Sequence, residues 1–388
     1  MEPDGGGAHA RHAQMSEPAG IPRAIAVLEQ GIADGLHAGA QVYVSRHGRV
    51  IADLGLGTSR PGTPLESRTL MLWFSATKPL VAVAVVRLWE QGRLDLDDRV
   101  ATHLPSFGQR GKDAVTLRHV LTHTGGFRSA VDLGWHPEPW EQAVARVCGA
   151  GLERGWVPGQ RAAYHAVSGW YVLGELVRQL SGQPFAVYLR EQILQPLAMD
   201  DTWVGMSSIE YERQEDRICA MANTAGREPQ WSPARARSQM ALLTNPGAGA
   251  HGTMRDLGRF YEALLRRGQG ERGRLLTAPA VEALVARHRV GLFDETFRQR
   301  VDWGLGLALD SRHYGDGPAL YGYGDHCSSR TFGHSGRQSS VAFADPEAGL
   351  VVAAAVNGMP GERRHEQRMR QFLGALYGDL GLTQSTVS

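Results

Sequence analysis

The chain has 388 residues, 42% of them apolar, and a formal net charge of +1. Its length exceeds what one core usually takes and allows one large domain or two intimate ones; without a basic run there is no electrostatic footprint for nucleic acid or an anionic membrane, so a small neutral substrate is expected. Cys148, Cys219 and Cys327 are an odd number without close spacing, which fits reduced thiols better than a disulfide framework or a zinc site, and no apolar run approaches the roughly 18 residues of a membrane span.

Residues 1–20 are rich in Gly, Ala, His and Pro and lack the apolar stretch of a signal peptide, so a disordered tail and a cytoplasmic location are expected. Ile21, Ile25, Leu28, Ile32 and Leu36 then recur at steps of three and four, predicting an amphipathic helix. A hairpin follows, with Gln41–Val44 and Val50–Ala52 flanking the turn Arg46-His-Gly-Arg49. From Pro79 the run Leu-Val-Ala-Val-Ala-Val-Val-Arg-Leu-Trp-Glu-Gln-Gly92 is apolar almost all round and ends on glycine, which predicts a buried helix. Further helices are expected near Val167–Leu180, Pro184–Leu194 and Met254–Leu265. Strands return at Trp303–Leu309, Ser339–Ala344 and Leu350–Val356, and a helix near Arg363–Tyr377 closes the chain. Strands at both ends around a helical middle imply an α+β fold, an antiparallel sheet flanked by helices. The sheet part is expected at about 21–70 and 275–380, with a mainly helical region at 71–274 inserted, the whole forming one unit over 21–380.

Lys78 and Lys112 are the only lysines, and Lys78 stands three residues after Ser75 in Trp73-Phe-Ser-Ala-Thr-Lys-Pro79. This spacing places Ser75 in the first turn of the buried helix, where unpaired N–H groups and the helix dipole favour negative charge on an attacked carbonyl oxygen. Positions i and i+3 share a helix face, so Lys78 can reach the Ser75 hydroxyl and, with burial disfavouring its ammonium form, accept the proton. A serine cap on a core helix with a solvated lysine is the alternative, against which stand Pro79 and the apolar run that follows.

Thr116-Leu-Arg-His-Val-Leu-Thr-His-Thr-Gly-Gly126, Trp156-Val-Pro-Gly159 leading to Tyr164, and Phe332-Gly-His-Ser-Gly336 stand in the order and rough spacing of the serine β-lactamase-like superfamily. Gln195–Thr202 and Asn245–Thr253 match its secondary segments, so the resemblance spans about Ile21 to Tyr377. The branch resembled holds class C β-lactamases, β-lactamase-like esterases, D-amino-acid peptidases and transacylases. The resemblance implies a β-lactamase/transpeptidase-like fold and a catalytic trio of Ser75 as nucleophile with Lys78 and Tyr164 sharing the proton transfer. It also implies an oxyanion hole from the N–H groups of Ser75 and Arg337, and a substrate edge at His334, Ser335, Gly336 and Arg337. Two departures bear on substrate: the family's Tyr-x-Asn is Tyr164-His165-Ala166, and His334 replaces the lysine that draws a β-lactam carboxylate. Both weaken penicillin recognition.

Other features carry less. His119 and His123 have the spacing of a metal pair without the intervening Glu, and no cofactor or metal is expected. Gly333-His-Ser335-Gly-Arg337 imitates a nucleophile elbow until its last position, where glycine is needed. Gly247–Gly252 lacks the Lys-Ser/Thr ending of a P-loop and reads as a tight loop. Trp89, Trp170 and Trp303 lie in apolar segments and read as core. Trp135 and Trp140 occupy a proline-rich stretch where an acyl or aryl pocket could form, and His165 adjoins the tyrosine. The expectation is an acyl-Ser75 enzyme acting on a small-molecule ester or activated amide, foremost a carboxylesterase. The alternatives are a transacylase of secondary metabolism with an amine or alcohol acceptor, a β-lactamase or D-amino-acid peptidase, and a silent penicillin binder.

Overall fold

The structure is a computed structural model and describes residues 20–128, 138–316 and 322–383; the expected N-terminal tail lies almost wholly outside them. Helix α1 (Pro22–Ala33) is followed by strand β1 (Gly39–Arg46), strand β2 (Arg49–Arg60) and the short strand β3 (Thr63–Pro64). His47 and Gly48 between the first two strands both have positive φ, 50° and 77°. That is the two-residue turn whose twist suits a hairpin.

The middle of the chain is mostly helical: α2 (Lys78–Glu90), α3 (Trp140–Gly149), α4 (Ser168–Ser181), α5 (Ala234–Leu242) and α6 (Met254–Leu265). Strands β4 (Ala308–Leu309), β5 (Phe332–Ser335), β6 (Ser340–Asp345) and β7 (Leu350–Val356) then precede α7 (Glu362–Asp379). One seven-stranded antiparallel sheet runs in the order β4-β5-β6-β7-β1-β2-β3. Its centre joins the late strand β7 to the early strand β1, with Val42 opposite Ala354.

Period-two alternation divides the sheet between two cores. Val42, Val44, Phe343 and Val352 meet Leu28, Phe372 and Leu376 of α1 and α7. Tyr43, Ala342, Val351 and Ala353 face Leu80, Val83, Leu173 and Phe260 of the helical region. A strand buried on both faces reads as an unbroken apolar run, as Leu350–Val356 does. Helix α2 is enclosed by both layers and ten of its thirteen residues are buried. At about 1.5–3 kcal/mol for each buried Val or Leu, nothing in this helix can shift cheaply, and that anchors the residues at its start.

The expected strand Trp303–Leu309 is a correction. Only Ala308 and Leu309 are strand; Trp303 instead bridges Ala308 across a turn in which Gly306 takes φ 73°. Its apolar residues are buried on every side of that turn, so their run mimics a strand. No helix among the described residues is long and apolar enough to cross a membrane. Cys148, Cys219 and Cys327 are buried free thiols.

Candidate active site

Ser75 lies in a 3₁₀ turn, Phe74–Thr77, that feeds directly into α2, rather than in the α-helix itself. The tighter turn suits the motif, because side chains three apart eclipse in a 3₁₀ helix. Phe74, immediately before the serine, has φ 49°, a left-handed conformation that costs a residue with a side chain about 1–2 kcal/mol. The turn keeps it because both ends are pinned. The Trp73 N–H donates to Ala250 O at 2.9 Å, its indole to Gly252 O at 3.0 Å, and its carbonyl accepts the Ser340 hydroxyl at 2.7 Å. On the other side the Ala250 N–H donates to Thr77 Oγ1 at 3.0 Å. Ser75 is half-buried among buried neighbours.

Lys78 is completely buried. Its Nζ stands 2.9 Å from Ser75 Oγ, 2.7 Å from Ala166 O and 2.7 Å from Gly247 O. Burial pushes its pKa well below the ordinary lysine value. A neutral amine has two hydrogens and one lone pair: the carbonyls take the hydrogens, and the lone pair is left for the Ser75 hydroxyl. An ammonium group would donate to all three neighbours. The two states therefore differ only in which atom of the 2.9 Å contact holds the proton, and no heavy atom has to move. The two carbonyls were not legible in the sequence, since backbone oxygens carry no residue signature. Asn245 builds one of them, its Oδ1 accepting the Gly247 N–H at 2.9 Å and tightening the Asn-Pro-Gly turn.

Tyr164 is half-buried, with its ring centroid 5.2 Å from Lys78 Nζ. Its amide N–H donates to Asp294 Oδ1 at 3.2 Å, and Asp294 is held by Arg289 at 3.1 Å in a wholly buried ion pair. The phenol ring packs against Phe297, His123, Trp303 and His334, with centroids 4.9, 4.6, 6.0 and 6.1 Å away.

The far wall is the end of β5. His334 is fully buried and its Nδ1 contacts Ser335 O at 2.7 Å, so the carbonyl assigns the proton to Nδ1. Burial, helped by the neighbouring Lys78, lowers its pKa to about 3, and the ring is neutral near pH 7. Ser335 is buried in strand and Arg337 is exposed just beyond. A Cβ on Gly336 would fall 2.2 Å from Trp73 O and 3.0 Å from Phe74 Cβ, so this glycine is what lets the strand end touch the Ser75 turn. Gly336→Ala is expected to cost about 1–3 kcal/mol by overpacking and to depress turnover as the edge is pushed away. An unchanged melting temperature and rate would mean that the two segments are not held together.

Other residues fall elsewhere. Trp140 is helical rather than in a loop; its indole donates to Glu175 Oε2 at 2.7 Å and its ring packs on Tyr171 and Phe185. Trp135 lies outside the described residues. The His165 ring points inward, its Nε2 accepting the Phe127 N–H at 3.1 Å. His119 closes a capping box with Thr116 at the start of a short helix. Trp140 lines two open, polar-edged cavities of about 470 and 440 Å³, and a more apolar one of about 210 Å³ lies beside Phe74, lined by Leu72, Ile218, Met221, Met240 and Met359 among others. About 150 Å³ suffices for a benzene-sized group.

The family model described as Beta-lactamase matches residues 24–376. The chain is 29% identical to esterase EstB of Burkholderia gladioli over 373 residues, 86% of this chain and 89% of that protein. It is 27% identical over 351 residues to the esterase/beta-lactamase LipL of Mycobacterium tuberculosis, 82% of this chain and 77% of that one. A penicillin-binding protein homologue from Caulobacter crescentus superposes with a TM-score of 0.75 at 28% identity, covering 93% of this chain and 98% of that one. The sheet, the inserted helices and the Ser75 turn are thus parts of a β-lactamase/transpeptidase-like fold, and the chain belongs to the beta-lactamase family.

Proposed function

We propose that the protein is a serine acyl-transfer enzyme that works as a carboxylesterase on small apolar esters. The observation that carries this reading is the buried Lys78 amine, saturated by two carbonyls and 2.9 Å from the hydroxyl of the half-buried Ser75. Ser75 Oγ attacks the ester carbonyl carbon while its proton passes to the Lys78–Tyr164 pair. The N–H groups of Ser75 and Arg337 take the oxyanion. The tetrahedral adduct collapses, the C–O bond to the alcohol breaks, and the leaving oxygen receives the proton through Tyr164, leaving acyl-Ser75. Water, deprotonated by the same pair, attacks the acyl carbon and returns Ser75 with a free carboxylic acid. Transfer to an alcohol or amine differs only in the second attacking group.

The substrate class follows from polarity. Position 166 holds an exposed alanine where an asparagine would grip a β-lactam side chain, and His334 is uncharged. The apolar cavity lined by Phe74, the residue before Ser75, is large enough for a small acyl group and supports an apolar substrate. Losing a hydrogen-bonded anchor costs about 1–3 kcal/mol, so two losses depress kcat/KM for a β-lactam by roughly thirty-fold to more than ten-thousand-fold. Parallel assays with p-nitrophenyl butyrate and nitrocefin are expected to give fast ester and slow lactam turnover. A large preference for nitrocefin would replace this reading with that of a lactamase. Diversion of the acyl group to millimolar alcohol or amine would make the enzyme a transacylase.

A further inference from the structure

The reaction just described makes no use of His123, the second residue of Thr122-His-Thr-Gly-Gly126. This residue is completely buried and holds a left-handed φ of 58°, a conformation that a side chain rarely adopts. Two of its atoms reach the segment that carries Tyr164. Its carbonyl oxygen accepts the Ala163 N–H at 3.0 Å, and its ring Nδ1 accepts the His165 N–H at 3.1 Å. With Asp294 Oδ1 taking the Tyr164 N–H at 3.2 Å, three consecutive amides are fixed, the outer two by one residue. The imidazole also packs against the phenol, centroid to centroid 4.6 Å, and is backed by Trp303 at 4.4 Å. Because Nδ1 is an acceptor, the ring proton sits on Nε2; a ring protonated at both nitrogens would set one N–H against another.

We propose that His123 is a positioning residue for Tyr164, clamping the backbone on both sides of the tyrosine through its carbonyl and its Nδ1. The strained backbone at position 123 is what turns carbonyl and side chain toward the same segment. The phenol oxygen lies at the far end of the Tyr164 side chain, so a small rotation of the backbone is magnified at the atom that moves the proton. Misplacement by about 1 Å can cost on the order of 100-fold in rate. The inference rests on the reading of Tyr164 as part of the proton relay.

Asparagine and leucine at position 123 separate the possibilities. The Asn Oδ1 occupies roughly the place of the His Nδ1, and Asn tolerates positive φ; Leu offers no acceptor. His123→Asn is expected to keep kcat for p-nitrophenyl butyrate within about threefold, while His123→Leu loses about 100-fold in kcat with KM nearly unchanged. In a Tyr164→Phe background the leucine substitution should have no further effect. Should the leucine variant fail to fold, His123→Gln takes its place: its oxygen falls at the Nε2 position, and it should lose kcat where Asn does not. The proposal is overturned if Asn is as damaging as Leu or Gln, or if either lowers the rate of the Tyr164→Phe enzyme by the same factor as in the wild type. Failure of the underlying reading looks different: a fluorophosphonate would not label Ser75, or Tyr164→Phe alone would turn over normally.

Discussion

Ser75→Ala is expected to lower turnover of p-nitrophenyl butyrate by about three to six orders of magnitude with substrate affinity nearly intact, since it removes the atom that carries the acyl group. Lys78→Ala should come close to the same loss. The two are halves of one proton-transfer unit, so the double variant should be little worse than either single one. Lys78→Ala also strips the carbonyls of Ala166 and Gly247 of their donor. A buried orphan such as Gly247 O costs about 1–3 kcal/mol, so this variant should melt lower, whereas Ser75→Ala should not. The pH profile carries a sign as well. In the proposed mechanism the lysine is a base only when neutral, and burial lowers its pKa, so activity is expected above that pKa and should be lost as the pH falls through it. Peptide mapping after fluorophosphonate treatment should find the label on Ser75. Label on Ser335, whose hydroxyl is buried in strand, or near-normal turnover by Lys78→Ala, would sink the mechanism.

Acid should unfold the protein well before its carboxylates are exhausted. Burial lowers the pKa of His37 and His334 to about 3 and of His165 and His251 to about 4. In each case the unfolded chain binds a proton below its ordinary value near 6.5 while the folded chain does not. Stability from these rings is therefore fully present above about pH 6.5 and is lost as the pH falls toward 4 for His165 and His251 and toward 3 for His37 and His334. Each contributes a slope of about 1.4 kcal/mol per pH unit across its window, opposed in part by Asp256, whose carboxyl pKa burial raises to about 6. Such slopes are large against a total of about 5–15 kcal/mol, so stability should fall steeply as the pH is lowered from about 6.5. Urea titrations from pH 7.5 to 4.5 would measure the slope directly. A stability independent of pH over that range would mean that the rings are solvated or charged in the fold.

The elements that the sequence places well are those whose periodicity and burial agree. Leu350–Val356 is a strand with the bounds predicted and Met254–Leu265 a helix with the bounds predicted, its start marked by Thr253, whose side chain accepts the Asp256 N–H. Trp303–Leu309 fails because an apolar residue in a glycine-rich turn looks like one in a strand. The loop expected around Trp140 is instead the start of a helix: prolines before it suggest an open loop, yet its indole donates to a buried carboxylate, which no local pattern reveals. At the site, Ser75 and Lys78 were legible because a turn fixes their separation. The carbonyls that complete the amine were not, coming from 88 and 169 positions further along the chain.

The pairing of β1 with β7 also sets a timetable. The Gly39 N–H waits for Asn357 Oδ1, 318 positions later, with 2.8 Å between them in the finished fold. At about 5–20 residues per second of synthesis, the hairpin of β1 and β2 spends roughly 15–60 s with one edge uncovered before its neighbour emerges. During that interval the serine and its lysine already exist, but the strand end at Gly336 that closes their pocket does not. A nascent chain is thus both sticky at an open edge and inert, and the last strands to leave the ribosome cure both conditions at once.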